Sequence, residues 1–221
     1  MCIGTSIIPT VNSITYNDII LQSDDYHINL PSNNIWPGNI TATIAGQRNY
    51  MGEKTFTYNI IGDLTNANVS LRSNNYQYNG HSIIPPKSNI VFKLFNTYNI
   101  PVAAYNVNAA VDNTILPGRK SITLTTNSPY YIGEKNIAYN IIANINTQCS
   151  YSNYNDIYAY TGYEIKPNII VTLNNANYTL QNGRDYHIEY DPNINYITYG
   201  EKRIIIHGIE PYYTGTKYIN Y

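Results

Sequence analysis

The sequence predicts an all-β protein of antiparallel sheets packed face to face, repeated three times in tandem. Three observations carry this expectation: a strand-forming composition, hydrophobic alternation with period 2, and self-similarity at a spacing of about 80 residues. Among 221 residues there are 25 Tyr, 35 Ile and 34 Asn. Ile and Tyr favour strands, and Asn supplies turns and tolerates left-handed backbone. AT-rich codons explain part of the same bias, so the tyrosine count alone is not read as a sugar-binding surface.

The repeat is explicit. Tyr50-Met51-Gly52-Glu53-Lys54, Tyr131-Ile132-Gly133-Glu134-Lys135 and Tyr213-Thr214-Gly215-Thr216-Lys217 share Tyr-x-Gly-x-Lys and lie 81 and 82 residues apart. Each is followed by alternating residues that place one side-chain set on one face: Phe56, Tyr58 and Ile60; Ile137, Tyr139 and Ile141; Ile219 and Tyr221. Upstream, Pro37-Gly38, Pro117-Gly118 and Tyr199-Gly200 each open a strand, with Ala42 and Ile44, Ile122 and Leu124, and Ile204 and Ile206 pointing inward. Earlier still come Tyr26-His27-Ile28, Tyr105-Asn106-Val107 and Tyr186-His187-Ile188. Ile7-Ile8-Pro9, Ile83-Ile84-Pro85 and Ile165-Lys166-Pro167 come first. Four landmarks recur in one order, which sets the repeats at 1–61, 62–142 and 143–221, the first shortened at its start.

Each repeat has room for six or seven short strands separated by Asn-Gly, Pro-Gly, Asn-Asn and Asp-Pro turns. No helical period supplies the crossovers that a parallel sheet needs. The joints at Ile60-Ile61-Gly62-Asp63 and Ile141-Ile142-Ala143-Asn144 hold no Pro/Gly/Ser linker. One repeat's last strand is therefore expected to run almost directly into the next, as a semi-rigid, elongated array.

Tyr160-Thr161-Gly162, Ile165-Lys166-Pro167, Gly183-Arg184-Asp185-Tyr186 and Tyr212-Tyr213-Thr214-Gly215-Thr216-Lys217 resemble the tandem immunoglobulin-like repeats of large bacterial surface proteins. The resemblance covers all three repeats and implies an immunoglobulin-like β-sandwich for each. It departs from the family pattern at Ser128-Pro129-Tyr130 and Glu210-Pro211-Tyr212, where that family usually has Gly-x-Gly-Asn. Similar domains decorate the capsids, tails and fibres of tailed bacteriophages. The N-terminal segment Met1–Ser6 has no basic, apolar leader pattern. The expectation is therefore a virion structural protein, auxiliary, decorating or fibre-associated, that contacts other virion proteins through strand edges and loops. The alternative is part of a bacterial cell-surface adhesin or stalk that binds host-surface glycans.

Charge and motifs bound the chemistry. The net charge of −1, with 13 scattered basic residues, argues against nucleic-acid binding. No stretch is long and apolar enough for a membrane helix. Cys2 and Cys149 fall in different repeats, so no intradomain disulfide is expected. His27 and His187 share a repeat position that Asn106 fills in the second repeat, which reads as a polar strand position rather than catalysis. Asp24, Asp25, Asp185 and Asp191 lack the oxygen-rich spacing of a calcium loop. The expectation is no enzyme, no cofactor and no metal. Tyr131 and Tyr213 are expected to be buried, with their hydroxyls on nearby backbone. Their neighbours Tyr130 and Tyr212 face the other way and are the candidate exposed contacts.

Overall fold

The computed structural model describes residues 1–109 and 114–221. Strands account for 45% of the described residues and helices for 6%, arranged in several sheets, which makes the fold all-β. Two compact units emerge. One comprises Met1–Ser70, Ile90–Asn108 and Thr123–Ile137, and the other Leu71–Asn89, Ala109–Ile122 and Ala138–Tyr221. The middle sequence repeat thus contributes segments to both, and each of the two joints lies within a single unit.

In the first unit, Tyr26–Asn29, Gly38–Gly46 and Glu53–Ile60 form an antiparallel three-stranded sheet, with Tyr26 opposite Gly46 and Gly38 opposite Ile60. The alternation has its expected consequence: Ile40, Ala42 and Ile60 are buried while Thr41 and Asn59 are exposed. The hairpin Thr15–Tyr16/Ile19–Ile20 turns on Asn17 and Asp18, both with left-handed φ of 48° and 65°. Asn and Asp accept that conformation at little cost, as two-residue hairpin turns require. Ile90–Leu94 lies between Tyr98–Asn99 and Asn68–Leu71. Its inward residues Ile90, Phe92 and Leu94 are buried, and Phe92 meets Tyr105 edge to face at 5.3 Å.

The second unit repeats the plan. Tyr186–Tyr190, Arg203–Gly208 and Thr216–Asn220 pair antiparallel in the same order, with Tyr186 opposite Gly208 as Tyr26 is opposite Gly46. Cys149–Ser152, Ile170–Leu173 and Tyr178–Thr179 form a separate antiparallel sheet. Val171, Leu173, Ile204 and Ile206 are buried to within 1% of complete exclusion from solvent. That is the apolar area whose burial drives folding of so helix-poor a chain. Cys149 and, in the first unit, Cys2 are both buried and free.

The equivalent tyrosines of the three last strands do the same job. The hydroxyl of Tyr58 donates to the Ile7 carbonyl at 3.1 Å, that of Tyr139 to Ile83 at 2.6 Å, and that of Tyr221 to Ile165 at 2.6 Å. Each acceptor opens an Ile-x-Pro landmark, where the proline removes a backbone donor and the segment needs side-chain anchoring.

The joints differ from the expectation in one respect. The last strand reaches into the next repeat, unbroken as Glu134–Asn144 at the second joint, but a short helical turn separates it from the strand that follows. After Gly62-Asp63 comes a 3-10 turn, Leu64–Asn66, and after Ala143-Asn144 a four-residue helix, Ile145–Gln148. The cause is the Asp and Asn themselves. The Asp63 carboxylate accepts from the Thr65 amide at 2.9 Å, and the Asn144 side chain accepts from the Asn146 amide at 3.0 Å. Both act as N-caps, and both helical turns bury their first residue, Leu64 or Ile145, completely.

Candidate functional site

The Tyr-x-Gly motif forms the far wall of each joint. At the first joint, Gly62-Asp63 pairs in parallel with Tyr131-Ile132, and the Gly62 amide donates to the Tyr130 carbonyl at 2.9 Å. At the second, Ala143-Asn144 pairs in parallel with Tyr213-Thr214, and the Ala143 amide donates to the Tyr212 carbonyl at 2.9 Å. The glycine of the motif is needed at both. Gly133 and Gly215 have φ of 78° and 85°, and an added Cβ would come within 2.9 Å of the Asp63 carboxylate or 2.5 Å of the Asn144 amide oxygen. The lysine of the motif also reaches its neighbour. Lys135 donates to the Thr65 carbonyl at 2.8 Å, and the Lys217 ammonium lies 5.7 Å from the centre of the Tyr151 ring.

Tyr131 and Tyr213 are buried. The hydroxyl of Tyr131 bonds Tyr98 at 3.4 Å rather than backbone, a correction to the sequence expectation. The backbone anchor in each repeat is the later tyrosine, Tyr58, Tyr139 or Tyr221. Burial raises the pKa of both Tyr131 and Tyr213, aided at Tyr131 by the Tyr98 hydroxyl.

Tyr130 and Tyr212 are half-buried and line an open cleft at each joint. The first, about 370 Å³, is neutral: Tyr130 and Pro129 face Pro37, Tyr98 and Ala103, with Trp36 stacked on Tyr98 at 4.8 Å. The second, about 410 Å³, sets Tyr212 and Pro211 beside Pro117, Tyr178, Glu210 and the Arg184–Asp185 pair, whose ions lie 2.7 Å apart. Both present an aromatic–proline wall to solvent, a surface suited to flat, weakly polar groups.

Two clusters escaped the sequence reading. A recess of about 110 Å³ in the third repeat is lined by Tyr158, Tyr160, Tyr196, Tyr199 and Lys202, with Tyr160 and Tyr199 strongly exposed. On the sheet face of the same repeat, His187, Glu189 and His207 bring their ligand atoms within 4.8 Å of one another. His207 contacts Glu189 through Nε2 at 3.0 Å and Thr216 through Nδ1 at 3.1 Å, and its ring stacks on His187. Two imidazoles and a carboxylate are a ligand set that a borderline divalent cation accepts. The signal was there in part: His187 and Glu189 stand two apart, so they share a strand face, but His207 joins them only through the cross-strand register. The acidic residues considered from sequence are occupied otherwise. Asp24 pairs with Arg48, Asp25 accepts the Gln22 amide, Asp185 takes Arg184 and the Gln181 amide, and Asp191 caps a turn at Asn193.

No family model matches the chain, and no curated protein matches it.

Proposed function

We propose that the chain is a non-enzymatic structural protein of three tandem immunoglobulin-like sandwiches, serving as an auxiliary, decorating or fibre-associated component of a tailed-phage virion. The observation that carries the modular part of this reading is the joint, built twice from the same parts. A small residue and an Asx open a repeat directly after the last strand of the one before, and the Tyr-x-Gly turn of that same repeat receives them through a parallel backbone bond. Such a joint fixes the segment arriving from one module into the body of the next, and the motif's glycine and lysine are spent on that task. The virion setting rests on the resemblance of the repeats. The work of such a protein is contact, made through strand edges, loops and the Tyr130 and Tyr212 clefts.

The tyrosine-lined recess at Tyr158, Tyr160 and Tyr199 favours one second reading, a surface stalk that binds glycans, since stacked rings are the usual platform for sugar faces. Mass spectrometry of purified particles and of cell-wall fractions separates the two. Presence in particles at fixed copy number supports the virion reading; enrichment in the wall fraction alone overturns it.

A further inference from the structure

The solvent-facing side of the third repeat's sheet gathers three side chains of metal-ligating type. His187 and Glu189 stand two apart on Tyr186–Tyr190, so both project from one face, and both are exposed. His207, on Arg203–Gly208, lies directly opposite His187 in the antiparallel register. The ligand atoms of all three lie within 4.8 Å of one another, and His207 Nε2 is 3.0 Å from Glu189 Oε2. Bonds of about 2.0–2.1 Å to a tetrahedral Zn²⁺ hold neighbouring ligand atoms about 3.3 Å apart. The cluster already stands near that spacing, and the exposed His187 closes the remainder by side-chain rotation. Nδ1 of His207 is 3.1 Å from the hydroxyl of Thr216, the residue opposite it on the third strand. Between Nε2 and the carboxylate there is room for one positive species, a proton or a metal ion. Thr216, accepting from Nδ1–H, fixes the tautomer that presents the Nε2 lone pair to a metal.

The carboxylate is not spent on a fixed cation. Among the described residues its one ion-pair partner is His207, while Arg203, on the same face, turns to Asn220 at 3.3 Å and to the Tyr218 ring at 5.8 Å. The other repeats show that the sheet does not require this set. In the first, His27 faces Ala45 in the same register and Asn29 stands where Glu189 does. The second carries Asn106 and Asn108 on the corresponding strand.

We propose that His187, Glu189 and His207 bind a borderline divalent cation of the Zn²⁺ type, with a water molecule completing the shell on the solvent side. Two imidazoles and one carboxylate match that class of ion. Ca²⁺ and Mg²⁺ favour shells made wholly of oxygen and are poorly served by two ring nitrogens. The bound ion ties Tyr186–Tyr190 to Arg203–Gly208 from outside the core and stabilises the third repeat by mass action. The sequence expectation of no metal weighed aspartates along single stretches, and a cross-strand set of this kind escapes such a reading. The site lies within the third repeat and is independent of the virion setting.

The test titrates the full chain, stripped of metal by a chelator, with Zn²⁺ by isothermal titration calorimetry. One saturable equivalent is expected, and excess Ca²⁺ should not displace it. Co²⁺ in its place should show the visible d–d bands of tetrahedral coordination. His187→Asn, Glu189→Gln and His207→Ala should each weaken Zn²⁺ binding by at least about tenfold, since losing even an outer partner of a ligand costs that much. Asn106 and Ala45 already stand at the first and last of these positions in other repeats, so the variants should fold, as circular dichroism will check. His27→Asn, in the first repeat, should leave binding unchanged. Absence of saturable Zn²⁺ binding, binding retained in His207→Ala, or binding lost in His27→Asn overturns the proposal.

Discussion

The two joints use one frame and different fillings. At the first, Gly62 and Asp63 meet Tyr131 and Gly133, and a carboxylate caps a 3-10 turn. At the second, Ala143 and Asn144 meet Tyr213 and Gly215, and a neutral amide caps a four-residue helix. What stays fixed is the parallel backbone pair, the buried tyrosine and the left-handed glycine; what varies is charge, cap chemistry and the turn that follows. The joint is therefore specified by backbone geometry and by what a glycine leaves empty. The clefts beside it, one neutral and one carrying Arg184, Asp185 and Glu210, are free to diverge.

The largest expected effect separates the buried tyrosine from its neighbour. Tyr131→Ala should destabilise the protein by on the order of 3 kcal/mol, the scale of truncating a buried aromatic, and Tyr130→Ala by much less. Equal shifts in chemical denaturation would erase the distinction between joint core and joint cleft. Next comes glycine against glycine. Gly215→Val and Gly52→Val share the left-handed backbone cost, but only Gly215 is pressed by Asn144, adding about 1–3 kcal/mol of overpacking. The difference between the two variants isolates the joint from the turn.

Tyr139→Phe removes one hydroxyl and leaves the Ile83 carbonyl without that donor, at a cost of about 1–2 kcal/mol. Tyr58→Phe, with its longer bond, should cost less. The last effect is confined to alkaline pH. Burial pushes the Cys149 thiol up to about 12 from an ordinary value near 9.0. The unfolded chain thus loses this proton first. Stability from this group is intact below about pH 9 and falls as pH rises toward 12, by at most about 1.4 kcal/mol per pH unit. Native Cys149 should accordingly resist iodoacetamide at pH 8 and react once the protein is unfolded.

The backbone plan was legible because it is written in residue types. Alternation fixed the inward faces at Ile122, Leu124, Ile204 and Ile206, all fully buried, and the positive-φ glycines marked the turns. The hydroxyl anchors of Tyr58, Tyr139 and Tyr221 were not legible, because a carbonyl acceptor belongs to every residue and leaves no signature. The helical turns at Leu64–Asn66 and Ile145–Gln148 are only about one helical period long, so only their Asx caps could have announced them. Tyr130 and Tyr212 were singled out by adjacency alone; that they line clefts follows from Pro37 and Pro117, strand-opening residues of the preceding repeat. The His187–Glu189–His207 cluster needed the register of two strands, with His207 standing 18 residues beyond Glu189 in sequence.

Amide hydrogen exchange at the joints tests the central claim most directly, because it reads the two parallel backbone bonds themselves. The Gly62 and Ala143 amides should exchange slowly, approaching the protection of the core amide of Ile206, since opening them requires separating Tyr131 or Tyr213 from the strand it pairs with. Exchange of both at the rate of an unstructured linker, with Ile206 still protected, would show that the repeats are merely tethered and that the joint is not a built element.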